Sequence, residues 1–408
     1  MNCRGCGTLL NLPLIDLGTA PPSNAYLRPE QLEVAEQWVP LKVQVCQCCW
    51  LVQTEDYTSA ESLFDAEYAY FSSFSSTWLE HAERYVASMV ERFGLNAESR
   101  VVEIAANDGY LLQYVARRGI PCLGIEPTRS TAKAAREKGL EIRELFFGRA
   151  TALQLVEDGW AADLIAANNV LAHVPDINDF LAGFAVLLKP EGVATFEFPH
   201  LLALMAGAQF DTLYHEHYSY LSLTAVQTLC ERNGLEIFDV SHLPTHGGSL
   251  RVFVQRADGI RRAQQPAVQQ ALAAESLAGV TQPAFYATLA PAAERIKHEL
   301  LRFLLQAKAE GKRVVGYGAA AKGNTLLNYA GVKPDLLAWV VDANPHKQGK
   351  FLPGSRIPVV GPERIALEKP DYVLVLPWNL LDEVSAQQAT IREWGGRFVI
   401  AVPELRIL

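Results

Sequence analysis

Basic charge is in short supply along this chain of 408 residues, where 36 Lys and Arg face 45 Asp and Glu and leave a net charge of −9 and a pI near 5.6. Nucleic-acid binders usually neutralise phosphates with a basic face, so no nucleic-acid partner is expected. No apolar run approaches the roughly 20 residues that a spanning helix needs, which excludes a membrane partner of that kind. The opening stretch, MNCRGCGTLL, has neither the basic nor the apolar region of a secretory signal. Low-complexity segments are missing as well. What is present, 50% apolar and 20% charged residues, is the composition of an α/β enzyme with two or three cores. A cytoplasmic monomer is the expectation.

Disulfide spacing is also lacking. Of seven cysteines, Cys3, Cys6, Cys46, Cys48 and Cys49 fall at the start of the chain, arranged as Cys3-x-x-Cys6 and Cys46-x-x-Cys49. Two such turns present four thiolates to one ion and close a tetrahedral structural zinc site, with Cys48 as a spare. A redox dithiol is the alternative, but it normally uses a single pair opening a helix. Loss of the metal is expected to unfold the N-terminal segment rather than remove a chemical step. Cys122 and Cys230, in apolar surroundings, read as small buried hydrophobes.

Three units follow from the pattern along the chain: a zinc-binding domain over 1–70, an α/β domain over 71–260 and a second α/β domain over 261–408. In the second unit SRVVEIAANDG predicts a strand and small-residue loop, LLQYVARRG a helix closed by Gly119, and PCLGIEP a strand ending at Glu126. Further strands are read in AADLIAANNV, EGVATFEFP, LEIFDVSHL and GGSLRVFVQRA, the last two as a hairpin-like pair added to a parallel sheet. That is the Rossmann-like class I methyltransferase arrangement. Residues 261–310 read as a helical connector, and KRVVGYGAAAKGNT, LLAWVVDANP, DYVLVLP and RFVIAVP as the strands of a C-terminal Rossmann-like domain.

The first loop bears on the cofactor. Glu103 ends the first strand, Ala105, Asn107, Asp108 and Gly109 form the turn, and Glu126 lies at the next strand tip, where a carboxylate can accept ribose hydroxyls. A pyrophosphate would be repelled by Glu103 and Asp108, whereas the sulfonium and amino group of S-adenosylmethionine suit an acidic loop. Asn168 and Asn169, at the end of a later strand, fall where the methionine portion would be contacted.

The densest polar cluster is YHEHYSY, residues 214–220. Read as an extended segment, it places His215 and His217 on one face with Glu216 opposite, which allows either a metal site or acid–base chemistry. In the second case a carboxylate orients an imidazole, the imidazole removes a proton alpha to a ketone, and a tyrosine hydroxyl stabilises the oxyanion. The stretch from Tyr68 to Trp78 alternates aromatics and hydroxyls, either as a helix cap or with Tyr68 and Tyr70 lining a sugar pocket. His173 is placed near the cofactor as a second proton-handling group.

Taken in order, the cysteine pairs, VVEIAANDG, YHEHYSY, HGGSLR (246–251), GYGAAAKGNT and DANPHKQGKFLPG resemble the sugar C-methyltransferases acting on nucleotide-linked 4-keto-6-deoxyhexoses. The resemblance runs nearly end to end, although Ala105 and Ala106 replace the family's usual Gly-Ser. It implies a zinc-binding N-terminal domain, a central S-adenosylmethionine domain, and a C-terminal domain helping to hold the nucleotide sugar. It further implies His217 as the base, supported by Glu216 and Tyr214, with Tyr68 and His173 alongside. Lys322 and Asn324 are expected to meet the diphosphate or nucleoside, and His246 and Arg251 to lie between the last central strands and the substrate pocket. Methylation of an oxygen or nitrogen, or a non-catalytic scaffold that binds a nucleotide sugar, are the rival readings.

Overall fold

The computed structural model describes residues 1–57 and 71–408. The first unit is a four-stranded antiparallel sheet in which β1 (Leu12–Ala20), β2 (Val39–Val45) and β3 (Val52–Thr54) are joined by β9 (Ser219–Tyr220). Thus the end of the YHEHYSY segment is a strand of the zinc-domain sheet, with Tyr220 opposite Val52 and Ser219 opposite Gln53.

The central sheet has seven strands: β4 (Val101–Ile104), β5 (Cys122–Ile125), β6 (Ile142–Arg143), β7 (Ala162–Asn168), β8 (Leu188–Pro199), β10 (Leu235–Leu243) and β11 (Ser249–Arg256). Their order is β10-β11-β8-β7-β4-β5-β6, all parallel except β11, which runs against both neighbours. The expected hairpin-like final pair is β10 and β11. The run VVEI of β4 is buried throughout, as a parallel strand covered on both faces requires. In front of the sheet, helix α1 (Ser76–Phe93) starts at Ser75, whose side chain accepts the Trp78 amide, and stops at Gly94 in the left-handed region. The polar run before the sheet therefore does serve as a helix cap.

Helix α2 (Pro266–Ala278) and the long α3 (Leu289–Ala309) form the connector; α3 buries Leu289, Ala293, Ile296, Leu300 and Leu304 along one stripe. The last unit is a six-stranded sheet whose central strand, β12 (Val314–Tyr317), leads through Gly318–Ala320 into helix α4 (Ala321–Ala330). The three units share packing. One apolar cluster contains Leu41 and Val43 of the first, Phe210 and Leu213 of the second, and Leu300 and Leu326 of the connector and third. The catalytic candidates lie where these units meet. No helix among the described residues is long and apolar enough to cross a membrane.

Candidate active site

The four N-terminal sulfurs come together as the spacing requires. Cys3 and Cys49 Sγ are 3.5 Å apart, Cys6 and Cys46 Sγ 3.4 Å, and all four lie within 4.8 Å of one another. A tetrahedral site with metal–sulfur bonds of about 2.3 Å separates its sulfurs by roughly 3.8 Å, so the set fits zinc. Gln53 Nε2 donates to Cys3 Sγ at 3.2 Å, giving the thiolates an outer hydrogen bond. Cys48 is exposed and Cys230 buried, while Cys122 is partly exposed.

At the C-terminal ends of β4 and β5 the chain forms an acidic cradle. Ala105 and Asn107 both take positive φ, 58° and 50°, to turn the loop, and Gly109 follows at 76°. Glu126 accepts the Asn107 amide at 2.9 Å on one oxygen and the Thr128 amide at 2.8 Å on the other, which fixes the carboxylate at the strand tip. Glu103 is buried, and neither of its oxygens finds a hydrogen-bond partner of good geometry, nor does Asp108 Oδ1 or either side-chain polar atom of Asn168. Burial pushes the Glu103 carboxyl well above its ordinary value; the nearby Tyr110 hydroxyl opposes this, and Asp108 and Glu126 add to it. Buried acceptors left in this state are costly unless a ligand supplies donors or positive charge. The amino group, sulfonium and ribose hydroxyls of S-adenosylmethionine supply both. Asn169, with φ of 53°, completes the rim; its Oδ1 is likewise buried without a partner. Residues just before α1 close over this loop, Ser72 N–H donating to Asn107 Oδ1 at 2.9 Å and Ser73 N–H to Asp108 Oδ2 at 3.2 Å.

Across the cleft the first part of the YHEHYSY segment, residues 214–217, is a turn, not an extended strand, because the His217 amide donates back to the Tyr214 carbonyl at 2.9 Å. The two imidazoles therefore diverge. His215 Nε2 lies 3.2 Å from the Pro40 carbonyl in the zinc domain, whereas His217 Nδ1 lies 3.0 Å from the Thr212 carbonyl. Among the described residues the four cysteines alone cluster as metal ligands, so the two histidines do not form a metal site. Since a carbonyl can only accept, Nδ1 of His217 carries the proton and Nε2 carries the lone pair. Burial holds its pKa well below 6.5, and the nearness of His173 adds to the shift. The His173 ring meets it edge-on at 4.6 Å, its own Nδ1–H donating to the Glu216 carbonyl at 2.7 Å. Tyr214 covers His217 at 3.9 Å between ring centroids.

Glu216 belongs to the same turn, but its carboxylate faces the zinc domain, where Oε1 accepts the backbone and side-chain N–H groups of Asn24 at 3.0 and 3.1 Å. The backbone carbonyl of Thr212, not the Glu216 carboxylate, orients His217. Nothing in the sequence marks Asn24 or Thr212, since one partner is 192 positions away and the other is a backbone atom. Tyr68 and Tyr70 lie outside the described residues.

His246, in the turn between β10 and β11 at φ 56°, meets Trp78 edge-on at 5.3 Å; burial lowers its pKa to about 4. Arg251 is buried in the sheet, donating to Glu197 Oε2 at 2.6 Å, with His81 Nε2 on the same oxygen at 2.9 Å. Burial alone would raise the Glu197 carboxyl, but His81 and Arg251 together hold it below its ordinary value. Arg251 thus sits beneath Trp78 through His81, on which Trp78 stacks at 4.8 Å. Lys322, at the start of α4, donates to Asn379 Oδ1 at 2.8 Å and lies 4.8 Å from the Trp378 ring centroid. Its charge is felt at both His217 and His246, which puts it near these two rings. Asn324 is buried and donates to the Ser23 carbonyl at 2.6 Å, joining the first and last units.

Comparison with known proteins shows the family. Residues 3–64 match a zinc binding domain model, 78–240 a methyltransferase domain, and 244–403 a C-methyltransferase C-terminal domain. The C-methyltransferase NovU of Streptomyces niveus is 35% identical over 406 residues, spanning 100% of this chain and 96% of that protein. The chain belongs to the C-methyltransferase family. A ubiquinone biosynthesis O-methyltransferase of Rhodopseudomonas palustris (strain BisA53) is 25% identical over a shorter region, 33% of this chain and 61% of that protein. A solved structure of magnesium protoporphyrin IX methyltransferase from Synechocystis PCC 6803, with bound S-adenosylmethionine, is 16% identical, covers 44% of this chain and 79% of its own, and superposes with a TM-score of 0.34. This C-methyltransferase depends on S-adenosylmethionine and carries an N-terminal zinc-binding domain.

Proposed function

We propose that this C-methyltransferase acts on a nucleotide-linked 4-keto-6-deoxy sugar, at the carbon alpha to the ketone, with His217 as the base. The observation that carries the reading is the state of His217: buried, neutral, and held by the Thr212 carbonyl so that Nε2 is the basic nitrogen. Loss of a proton alpha to a ketone creates a carbon nucleophile, and an imidazole positioned in a water-poor cleft is suited to take it. S-adenosylmethionine, held by Glu103, Asn107, Asp108, Glu126, Asn168 and Asn169, supplies an electrophilic methyl when bound. Tyr214 and His173 confine the His217 ring, and the Lys322 charge offsets negative charge on the acceptor. A nucleotide-linked acceptor accords with the second Rossmann-like unit, whose Gly318–Ala320 loop opens helix α4 beside the same cleft.

The test incubates the enzyme with S-adenosylmethionine and a panel of nucleotide-linked 4-keto-6-deoxyhexoses and locates any added methyl by mass analysis and NMR. Exchange of the alpha proton with deuterated solvent, lost in His217→Ala, is the expected companion. A methyl found on oxygen, or turnover without exchange in the slow-methylation regime, would overturn the carbon-transfer assignment.

A further inference from the structure

The tripeptide that carries the hydrogen-bond partner of His217 is gripped from the C-terminal domain on both sides. Asp211, before Thr212, accepts the Trp378 indole N–H on Oδ2 at 2.8 Å. Leu213, after it, has its carbonyl bonded by the Thr325 hydroxyl at 2.9 Å, and Thr325 lies on helix α4. Within the central domain Thr212 Oγ1 donates to the Gln209 carbonyl at 2.7 Å, and Gln209 Nε2 donates to the Gly247 carbonyl at 2.9 Å, next to His246. The Trp378 ring closes the same circuit. It packs so tightly on Gly247, whose φ is 88°, that a Cβ there would come within 2.5 Å of its Cη2.

These contacts leave the Thr212 carbonyl little freedom. Asp211 and Thr212 are both buried. Thr212 is in turn the group that selects the tautomer of His217. We infer that Trp378 and Thr325 are positioning residues for the reaction: from the C-terminal domain they fix the Thr212 carbonyl, and through it the nitrogen on which His217 keeps its lone pair. This rests on His217 acting as the base. It gives the third unit a part in the proton transfer as well as in binding the acceptor. The hydrogen bonds of Trp378 and Thr325 go to Asp211 and Leu213, and the His217 ring is held by Thr212 between them.

The experiment measures the nitrogen-15 shifts of His217 in histidine-labelled full-length protein, without substrate, beside steady-state kinetics. The wild type is expected to show a single neutral tautomer with the proton on Nδ1. Trp378→Phe and Thr325→Val each release one side of the tripeptide. Both should mix the tautomers and lower kcat roughly three- to ten-fold, the range set by one hydrogen bond of ordinary net strength. Affinity for S-adenosylmethionine should stay unchanged, and its binding certifies that each variant is folded. Thr325→Ser retains the donor and should recover the single tautomer, as should Asp211→Asn, which retains an acceptor for the indole, where Asp211→Ala does not. A single Nδ1–H tautomer in both Trp378→Phe and Thr325→Val, or identical behaviour of Thr325→Ser and Thr325→Val, overturns the inference. Retained turnover in His217→Ala removes the base assignment instead, and the tautomer measurement still decides whether the clamp exists.

Discussion

The proposed base, His217, is oriented without the Glu216 carboxylate. A backbone carbonyl sets its tautomer, and aromatic rings set its orientation. Replacing it with Ala is expected to lower kcat by about 10²- to 10⁴-fold, the usual worth of a positioned general base, while calorimetry finds S-adenosylmethionine binding intact. The sign of the pH effect follows from burial. Only the neutral ring accepts a proton, and its pKa in the folded protein lies well below 6.5, so kcat should hold steady as pH falls through 6.5 and decline only further down. A half-maximal kcat at or above pH 6.5, measured with saturating substrates, would contradict that burial-driven shift. At this scale the sequence showed the polar cluster but not its wiring. The family resemblance put Glu216 in support of His217, whereas the turn between Tyr214 and His217 sends the Glu216 carboxylate to Asn24. Polar density is visible in a sequence; the choice of a backbone carbonyl as partner leaves no trace in side-chain identity.

At the scale of single elements the strands were the most legible, because a parallel strand buried on both faces is a mostly apolar run, broken in β4 only by Glu103 and ended in β7 by Asn168. In the antiparallel β10–β11 pair, β11 is buried almost throughout, whereas β10 mixes buried and half-buried positions. The two-residue β9 was not legible, since Ser219 and Tyr220 carry no periodicity and their partners come from β3, far back in the chain. The turn after β4 carries a further consequence. Ala105 occupies left-handed backbone at φ 58°, which costs an L-residue about 1–2 kcal/mol, so Ala105→Gly should be neutral or stabilising by up to roughly 1 kcal/mol after the greater freedom of unfolded Gly is counted. Gly109→Ala should do the opposite. Its φ is 76° and the added Cβ would stand 2.3 Å from Leu140 Cδ1, so a loss of roughly 2–4 kcal/mol is expected in urea unfolding, with weaker cofactor binding.

Taken as a whole, the molecule ties its metal site to its chemistry. The zinc unit was expected to fail alone when stripped of metal; yet its sheet includes β9, which begins two residues after His217, and its Asn24 holds Glu216. Cys49→Ser, or exhaustive chelation, is therefore expected to abolish turnover together with the folding of the first unit, and activity should return with zinc in the chelated sample. Circular dichroism and turnover followed on one chelator titration check this; turnover that survives loss of the N-terminal sheet would refute it. The same pairing also bears on how the chain is made. Synthesis delivers β3 long before Ser219 and Tyr220 leave the ribosome, so the newborn zinc unit must wait with one strand edge unpaired, a surface open to other chains. Metal can load early, but the edge closes only when the segment bearing His217 arrives. A fragment ending before residue 219 would keep that edge permanently, and self-association is the behaviour to expect of it.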